Sequence, residues 1–185
     1  MKETPVSRMR IQQARMLCLM GARAVTTAAA TGIRPTDARA IYKEIHGTVS
    51  PPGQTPHSLE WYLERPARRL QASLLLKLYF LCIQSGYSTQ QAFIAAYDVY
   101  WNIYGAADTS KRQQSERLID PERGFYLVKR AGSFGALNAP GVGEAIAALP
   151  CRSCGLEILS PAHEAAFVCP QCASGFQNPG HRLRA

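Results

Sequence analysis

Apolar residues recur at intervals of three and four along most of the first 130 positions. This period is that of an amphipathic α-helix, in which residues i, i+3, i+4 and i+7 share one face. Ile11, Cys18 and Val25, for example, fall on one such stripe. The pattern predicts a mainly α-helical bundle built from helical hairpins. Helices are expected at residues 6–30, 35–47, 68–84 and 88–104, and from residue 120 onwards.

Start and stop signals support these boundaries. Gly32 is placed to end the first helix in a left-handed conformation. Pro35 has the fixed φ that suits the first turn of the second helix. Ser88 and Gln91 have the spacing of a capping box, and Asp120 stands before a proline, as an N-cap residue often does. The signals therefore predict where hairpin turns interrupt the helical pattern.

The helix predicted at 35–47 has two different faces. Ala38, Ile41 and Ile45 form an apolar face that can pack, and the rest of the helix is largely polar. A helix, a short turn with glycine and a second helix with a cationic outer face are typical of a helix–turn–helix that reads DNA. A solvated helix face would give the same pattern. The cationic positions are Arg34 at the entrance and Arg39, Lys43 and His46 along the outer face.

The helix predicted at 68–84 is apolar on most sides. Such a helix is buried in a core or covered by another subunit, so a protein partner is expected. The sequence Ser50-Pro-Pro-Gly precedes it in a loop that can be neither helix nor central strand. Two prolines stiffen this loop, which predicts a rigid brace.

Four cysteines near the C-terminus form two matched pairs. Two residues separate Cys151 from Cys154 and Cys169 from Cys172, and 14 residues separate the pairs. Each pair can bind one metal ion from a single turn, and two such turns complete a tetrahedron of sulfurs around Zn²⁺. Four thiolates leave no coordination position open for water. The expected site is therefore structural, with one zinc ion per chain.

Other uses of these cysteines stay open. Two disulfides would need an oxidising compartment, and a thioredoxin-like redox pair would use one C-x-x-C beside a βαβ unit. Iron can occupy the same four sulfurs. His163 lies between the pairs and could replace one cysteine as a ligand. Zinc bound by the four cysteines is the preferred interpretation.

The chain is basic, and its positive charge is uneven. It has 185 residues with 21 Lys+Arg against 13 Asp+Glu, a net charge of +8. Residues 1–50 carry eight of the Lys+Arg and three of the Asp+Glu. A cationic surplus of this kind can act as an electrostatic footprint for nucleic acid, although a general solubility charge would look the same.

Neither a membrane span nor an export signal is predicted. The longest apolar stretch, residues 72–83, has 12 residues including a lysine, whereas a span needs ~20. Residues 16–20 are too short for the apolar region of a signal peptide. We expect a cytoplasmic protein that keeps its thiols reduced. The motifs G-x-S-x-G and H-E-x-x-H are absent from the sequence, so an enzyme is not predicted.

Several short motifs, taken in order, resemble the FlhC family, the C subunits of the bacterial flagellar master regulator. They are Leu19-Met-Gly-Ala-Arg-Ala, Ile41-Tyr-Lys-Glu-Ile-His-Gly, Ser50-Pro-Pro-Gly, Trp61-Tyr and the two C-x-x-C pairs. The similarity covers about residues 10–175. Two features depart from the family pattern: the Gly/Ala-rich segment at 138–148 is longer, and the segment after Cys172 lacks a basic run.

The resemblance implies a largely helical transcription activator that works with a small helical partner, FlhD. It implies a hetero-hexamer of four D and two C chains that binds promoters of flagellar operons and recruits RNA polymerase. It also implies that Cys151, Cys154, Cys169 and Cys172 are zinc ligands.

Together these observations predict a helical DNA- and partner-binding domain at 1–149, a four-cysteine zinc-ribbon-like subdomain at 150–176 and a disordered tail at 177–185. The alternative is a zinc-stabilised scaffold, or an RNA-binding module without promoter specificity. The candidate DNA contacts are Arg34, Arg39, Lys43 and His46, with further phosphate contacts at Lys111, Arg112 and Arg152.

Overall fold

The computed structural model describes residues 5–104, 117–131, 146–161 and 168–173. Within these ranges the chain is mainly helical, as predicted, with a two-stranded antiparallel sheet near the C-terminus. A 3₁₀ turn at Glu60–Tyr62 separates the first three helices from the rest. The elements are α1 (Pro5–Leu19), α2 (Ala24–Thr31), α3 (Pro35–His46), α4 (Pro66–Gln84), α5 (Thr89–Tyr104), α6 (Pro121–Ala131), β1 (Ile146–Pro150), β2 (Glu157–Pro161) and α7 (Pro170–Ala173).

The prediction of one continuous helix at 6–30 is wrong, because α1 ends at Leu19 and α2 begins at Ala24. Gly21 has φ +93, a left-handed conformation that glycine adopts without steric cost. The Ala22 N–H donates to Leu17 O and the Gly21 N–H to Cys18 O, both at 2.9 Å. This hydrogen-bond pair is a Schellman motif, which terminates a helix. The apolar stripe does not keep one buried face across the break, because Val25 is 56% exposed and α2 buries Ala24, Thr27 and Ala30 instead.

Helices α1, α2 and α3 pack against one another at the N-terminal end. Ala14, Cys18 and Ile41 form a small buried cluster between α1 and α3. A turn at residues 32–34 joins α2 to α3, and Gly32 has the predicted left-handed conformation, with φ +71. Gly47, with φ +70, ends α3 in the same way. The outer face of α3 is left exposed beside the short helix α2.

The main core lies between α4, α5 and α6. Tyr97 and Tyr100 are fully buried on α5, and their hydroxyls are bonded internally. Tyr97 donates to Ile119 O at 3.0 Å, and the Ile119 N–H donates to the Tyr100 hydroxyl at 3.1 Å. Tyr100 donates to Gln71 Oε1 on α4. These bonds satisfy polar groups that would otherwise be costly to bury, so the segment before α6 is fixed against the α4–α5 hairpin.

The predicted helix caps are present. Ser88 and Gln91 bond reciprocally: the Gln91 N–H donates to Ser88 Oγ at 3.4 Å, and the Ser88 N–H to Gln91 Oε1 at 3.2 Å. Asp120 accepts the Arg123 N–H at 2.8 Å, which caps α6. In the part of the chain that the structure describes, no helix combines the length and apolar character needed to cross a bilayer.

Candidate metal centre and cationic surface

The first cysteine pair sits on the turn between β1 and β2. The Cys151 N–H donates to Leu156 O at 2.9 Å, and the Gly155 N–H donates to Cys151 O at 2.8 Å. Gly155 has φ +72, so the turn needs a residue that tolerates the left-handed region. This turn holds the Cys151 and Cys154 sulfur atoms within 4.8 Å of each other.

The second pair belongs to the short helix α7. Cys169 immediately precedes the helix and Cys172 lies within it, and the Ala173 N–H donates to Cys169 O at 2.9 Å. One helical turn therefore brings both thiols to the same face. The hairpin and α7 place all four sulfur atoms within 4.8 Å of one another.

The sulfur positions fit a tetrahedral metal site. The Cys154 and Cys169 Sγ atoms are 3.8 Å apart. A regular tetrahedron with metal–sulfur bonds of about 2.3 Å has edges of about 3.8 Å. All six cysteines are free thiols, and the pairs are not joined as disulfides. Four clustered cysteines can thus hold a metal ion and leave no position open for a catalytic water.

Backbone N–H groups point at the sulfurs. Ser153 and Cys169 donate to Cys151 Sγ at 3.4 and 3.2 Å, and Cys172 donates to Cys169 Sγ at 3.4 Å. Burial acts to raise the pKa of Cys151, but these donors outweigh it and lower that pKa to about 6. Burial raises the pKa of Cys169. The backbone donors therefore favour the thiolate form of Cys151, which is the form that binds a metal. His163, the alternative ligand, lies outside the described residues.

The metal site is attached to the helical body through the free edge of β2. Strand β1 pairs with the other edge. The Leu159 N–H donates to Ser73 Oγ on α4 at 2.9 Å. Arg69, one turn earlier on α4, donates from Nε to Leu159 O and from Nη2 to Ser160 Oγ. Two α4 side chains therefore bond both backbone polar groups of Leu159, which is only 1% exposed.

Sequence reasoning missed these α4 residues, because the helix looked apolar on most sides. Arg69, Ser73 and Lys77 recur at i, i+4 and i+8, and this polar stripe was the signal that could have found them. The Lys77 ammonium lies 3.9 Å from the Glu157 carboxylate of β2. Leu70 of the same helix packs against the buried residues of the metal site.

The predicted cationic face of α3 divides into paired and unpaired side chains. Arg34 forms a bidentate ion pair with Asp37, with distances of 2.9 and 3.0 Å. This hydrogen bonding lowers the pKa of the Asp37 carboxyl. Arg39 and Lys43 are exposed one turn apart on α3. Within the described residues neither has a hydrogen bond or ion pair.

The other candidate contacts are placed differently. The His46 Nε2 lies 3.0 Å from Cys18 O and can donate to it, so its ring is engaged with the end of α1. Arg152 is exposed on the metal-site turn, away from α3 in the sequence. Lys111 and Arg112 lie outside the described residues.

Comparisons with known proteins agree with the predicted resemblance. The family profile described as "Flagellar transcriptional activator (FlhC)" matches residues 2–178. The flagellar transcriptional regulator FlhC of Sodalis glossinidius (strain morsitans) is 26% identical over 167 residues, which cover 88% of this chain and 76% of that protein. The match spans the helical body and the cysteine hairpin alike, so the chain belongs to the FlhC family of flagellar transcriptional activators.

Proposed function

We propose that this flagellar transcription regulator binds promoter DNA through the exposed face of α3. Arg39 and Lys43 carry the proposal, because they are exposed, adjacent on one helix face and unpaired among the described side chains. Long cationic side chains on an exposed helix can reach phosphates and base edges in the major groove. Further contacts are proposed at Arg34, His46, Lys111, Arg112 and Arg152.

The metal in this proposal is zinc, held by Cys151, Cys154, Cys169 and Cys172. Its role is structural: it joins the β1–β2 turn to α7 and links metal binding to folding of this segment. The four sulfurs and the 3.8 Å edge between two of them support a tetrahedral ion. Residues 1–149 form the proposed DNA- and partner-binding domain and residues 150–176 the zinc subdomain.

The proposed assembly is a hetero-hexamer of four FlhD-type and two FlhC-type chains that recruits RNA polymerase to flagellar operons. An exposed apolar surface supports the proposal of a protein partner. Val99 and Ile103 lie one turn apart on α5 and are 44% and 54% exposed. Leu81 on α4 is 47% exposed. Apolar residues paired on one helix face suit a partner helix better than they suit water.

The decisive experiment is fluorescence anisotropy of the co-expressed complex on a flagellar promoter duplex and on a scrambled duplex, each across a salt series. Replacing Arg39 and Lys43 with alanine should weaken promoter binding and reduce the magnitude of the salt slope by about 0.9 for each phosphate contact that is lost. Arg65→Ala with Lys129→Ala is the matched control, since it removes the same two charge types from exposed positions elsewhere.

The anisotropy results distinguish DNA binding through α3 from the alternative functions. A salt-dependent promoter preference that the Arg39/Lys43 variant loses and the control retains would support DNA binding through α3. Equal weak binding to both duplexes would favour the scaffold or the RNA-binding module instead. Run-off transcription from the same promoter, with and without the complex, tests recruitment of RNA polymerase.

A further inference from the structure

A cavity of about 450 Å³ lies beside α3, where α3 meets the start of α2 and the Pro-Pro-Gly loop. It combines apolar walls with a small number of cationic groups, which is the usual make-up of a ligand site. Its polar lining is Arg23, Arg39, Lys43 and Ser50, and its remaining lining is Ala24, Val25, Ala40, Val49, Pro51, Pro52 and Gly53.

The charge on the α3 side of this cavity is uncompensated. Both acidic residues of α3 form ion pairs with other arginines: Asp37 pairs with Arg34 at 2.9 Å, and Glu44 pairs with Arg15 at 2.7 Å. The carboxylates nearest in sequence are therefore unavailable to Arg39 and Lys43. Like charges one turn apart on a helix repel each other. An anion seated between them would convert that repulsion into attraction.

The opposite wall is held in place by Arg23. Its two terminal nitrogens donate to Gly53 O and Gln54 O, each at 3.2 Å. The Arg23 backbone N–H donates to Glu122 Oε1 at 2.7 Å, and its Nε lies 3.6 Å from the same carboxylate. The Ala24 N–H also reaches the loop, through Ser50 Oγ at 3.0 Å. One part-buried side chain thus connects the loop to α6.

Gly53 is needed for this contact. Its φ is +147, which L side chains rarely adopt, and an added Cβ would lie 2.9 Å from Arg23 Nη1. An alanine at this position would therefore push the Arg23 guanidinium away from the carbonyls that it holds. The Pro-Pro-Gly sequence supplies stiffness from its prolines and a close approach at its glycine.

We propose that this cavity seats one phosphodiester group of the bound DNA between Arg39 and Lys43, and that Arg23 and Gly53 are positioning residues for its loop wall. A planar guanidinium and an ammonium together match the oxygens of a phosphate. The walls of valine and proline suit the sugar carbons on either side of that group. This inference rests on the proposed function, and it adds a part of the site that α3 alone does not provide.

The test uses Gly53→Ala and Arg23→Lys in the co-expressed complex, because both variants keep every charge. Each should weaken promoter binding by about fivefold at 0.15 M salt and reduce the magnitude of the salt slope by about one, the effect of one lost phosphate contact. Gly86→Ala is the control for strain, since Gly86 also has a positive φ but no atom within 4 Å of an added Cβ. Melting temperature and zinc content verify folding.

A second arm locates the phosphate itself. Duplexes that carry single uncharged methylphosphonates should reveal one position at which replacement weakens wild-type binding about fivefold and leaves Gly53→Ala binding unchanged. Wild-type affinity and slope in both variants, or no position with this coupling, would overturn the inference. If the wild-type complex itself shows no salt-dependent promoter preference, the proposed function fails first.

Discussion

Replacing Ser73 with alanine would remove one of the hydrogen bonds that attach the metal site to the helical body. The Ser73 hydroxyl donates to Arg69 O at 2.7 Å and accepts the Leu159 N–H at 2.9 Å. The first bond lies within α4, whereas the second joins α4 to β2, as the Arg69 bonds also do. Ser73 is 8% exposed and Leu159 1% exposed, so water cannot readily replace the lost oxygen.

The expected loss of folding stability in Ser73→Ala follows from these contacts. A buried N–H left without an acceptor costs about 1–3 kcal/mol. Alanine returns about 0.5 kcal/mol because its helix propensity exceeds that of serine. The free energy of unfolding should therefore fall by about 0.5–2.5 kcal/mol, which for a chain of this size lowers the melting temperature by roughly 1–10 °C. If zinc binding is linked to folding of the β1–β2 hairpin, the zinc dissociation constant should rise by about 2- to 70-fold.

The assay is thermal unfolding of the zinc-loaded complex together with competitive zinc titration against a chromogenic chelator. Ser85→Ala is the matched control, because Ser85 makes the same type of bond, to Leu81 O at 2.9 Å, at an exposed helix end. Ser73→Ala should shift both measurements while Ser85→Ala shifts neither appreciably. Equal behaviour of the two variants would refute the idea that α4 holds the metal site in place through this bond.

Two further predictions concern the metal and the buried tyrosines. Cys154→Ser should release zinc and unfold the C-terminal segment, because metal binding and folding are linked there. Metal analysis and hydrogen exchange measure both effects, with Cys82→Ser as the control. A zinc-free Cys154→Ser variant of native stability would contradict the prediction. Burial raises the pKa of Tyr62, Tyr97 and Tyr100 above the usual value of about 10. The folded protein then keeps protons that the unfolded chain releases, so the free energy of unfolding should fall above about pH 10, by up to roughly 1.4 kcal/mol per pH unit for each tyrosine. Urea unfolding of the zinc-loaded protein from about pH 8 to 11 checks this, and a flat profile would count against it.

Local signals predicted much of the fold. The helical period placed α3, α4 and α5, and the capping residues Ser88 and Asp120 act as expected. The cysteine spacing predicted a cluster that can hold a metal ion. The family match places the chain among transcription regulators and not enzymes, in agreement with the absence of catalytic motifs. These signals succeed because each acts within about one helical turn or one tight turn of the chain.

The break between α1 and α2 shows where periodicity is insufficient. The apolar stripe runs on through Gly21, so the period alone predicted one helix. The left-handed glycine and its Schellman hydrogen bonds end α1. The glycine was visible in the sequence, but an isolated glycine within a helical pattern is often tolerated. The hydrogen bonds of this turn end α1, and α2 then buries a different face, since Val25 is 56% exposed.

The sequence by itself determined α3, α4 and α5, the caps at Ser88 and Asp120, and the four sulfurs that can form a metal site, because those features depend on neighbours along the chain. Only the tertiary structure decided which cations are free and what the metal site rests on. Glu44 is neutralised by Arg15 from 29 residues away, and Leu159 is bonded by Ser73 from 86 residues away. Such partners depend on how whole elements pack together, so no local sequence pattern predicts them. For the same reason the cavity at Arg39 and Lys43 became visible only once α2, α3 and the Pro-Pro-Gly loop were in contact.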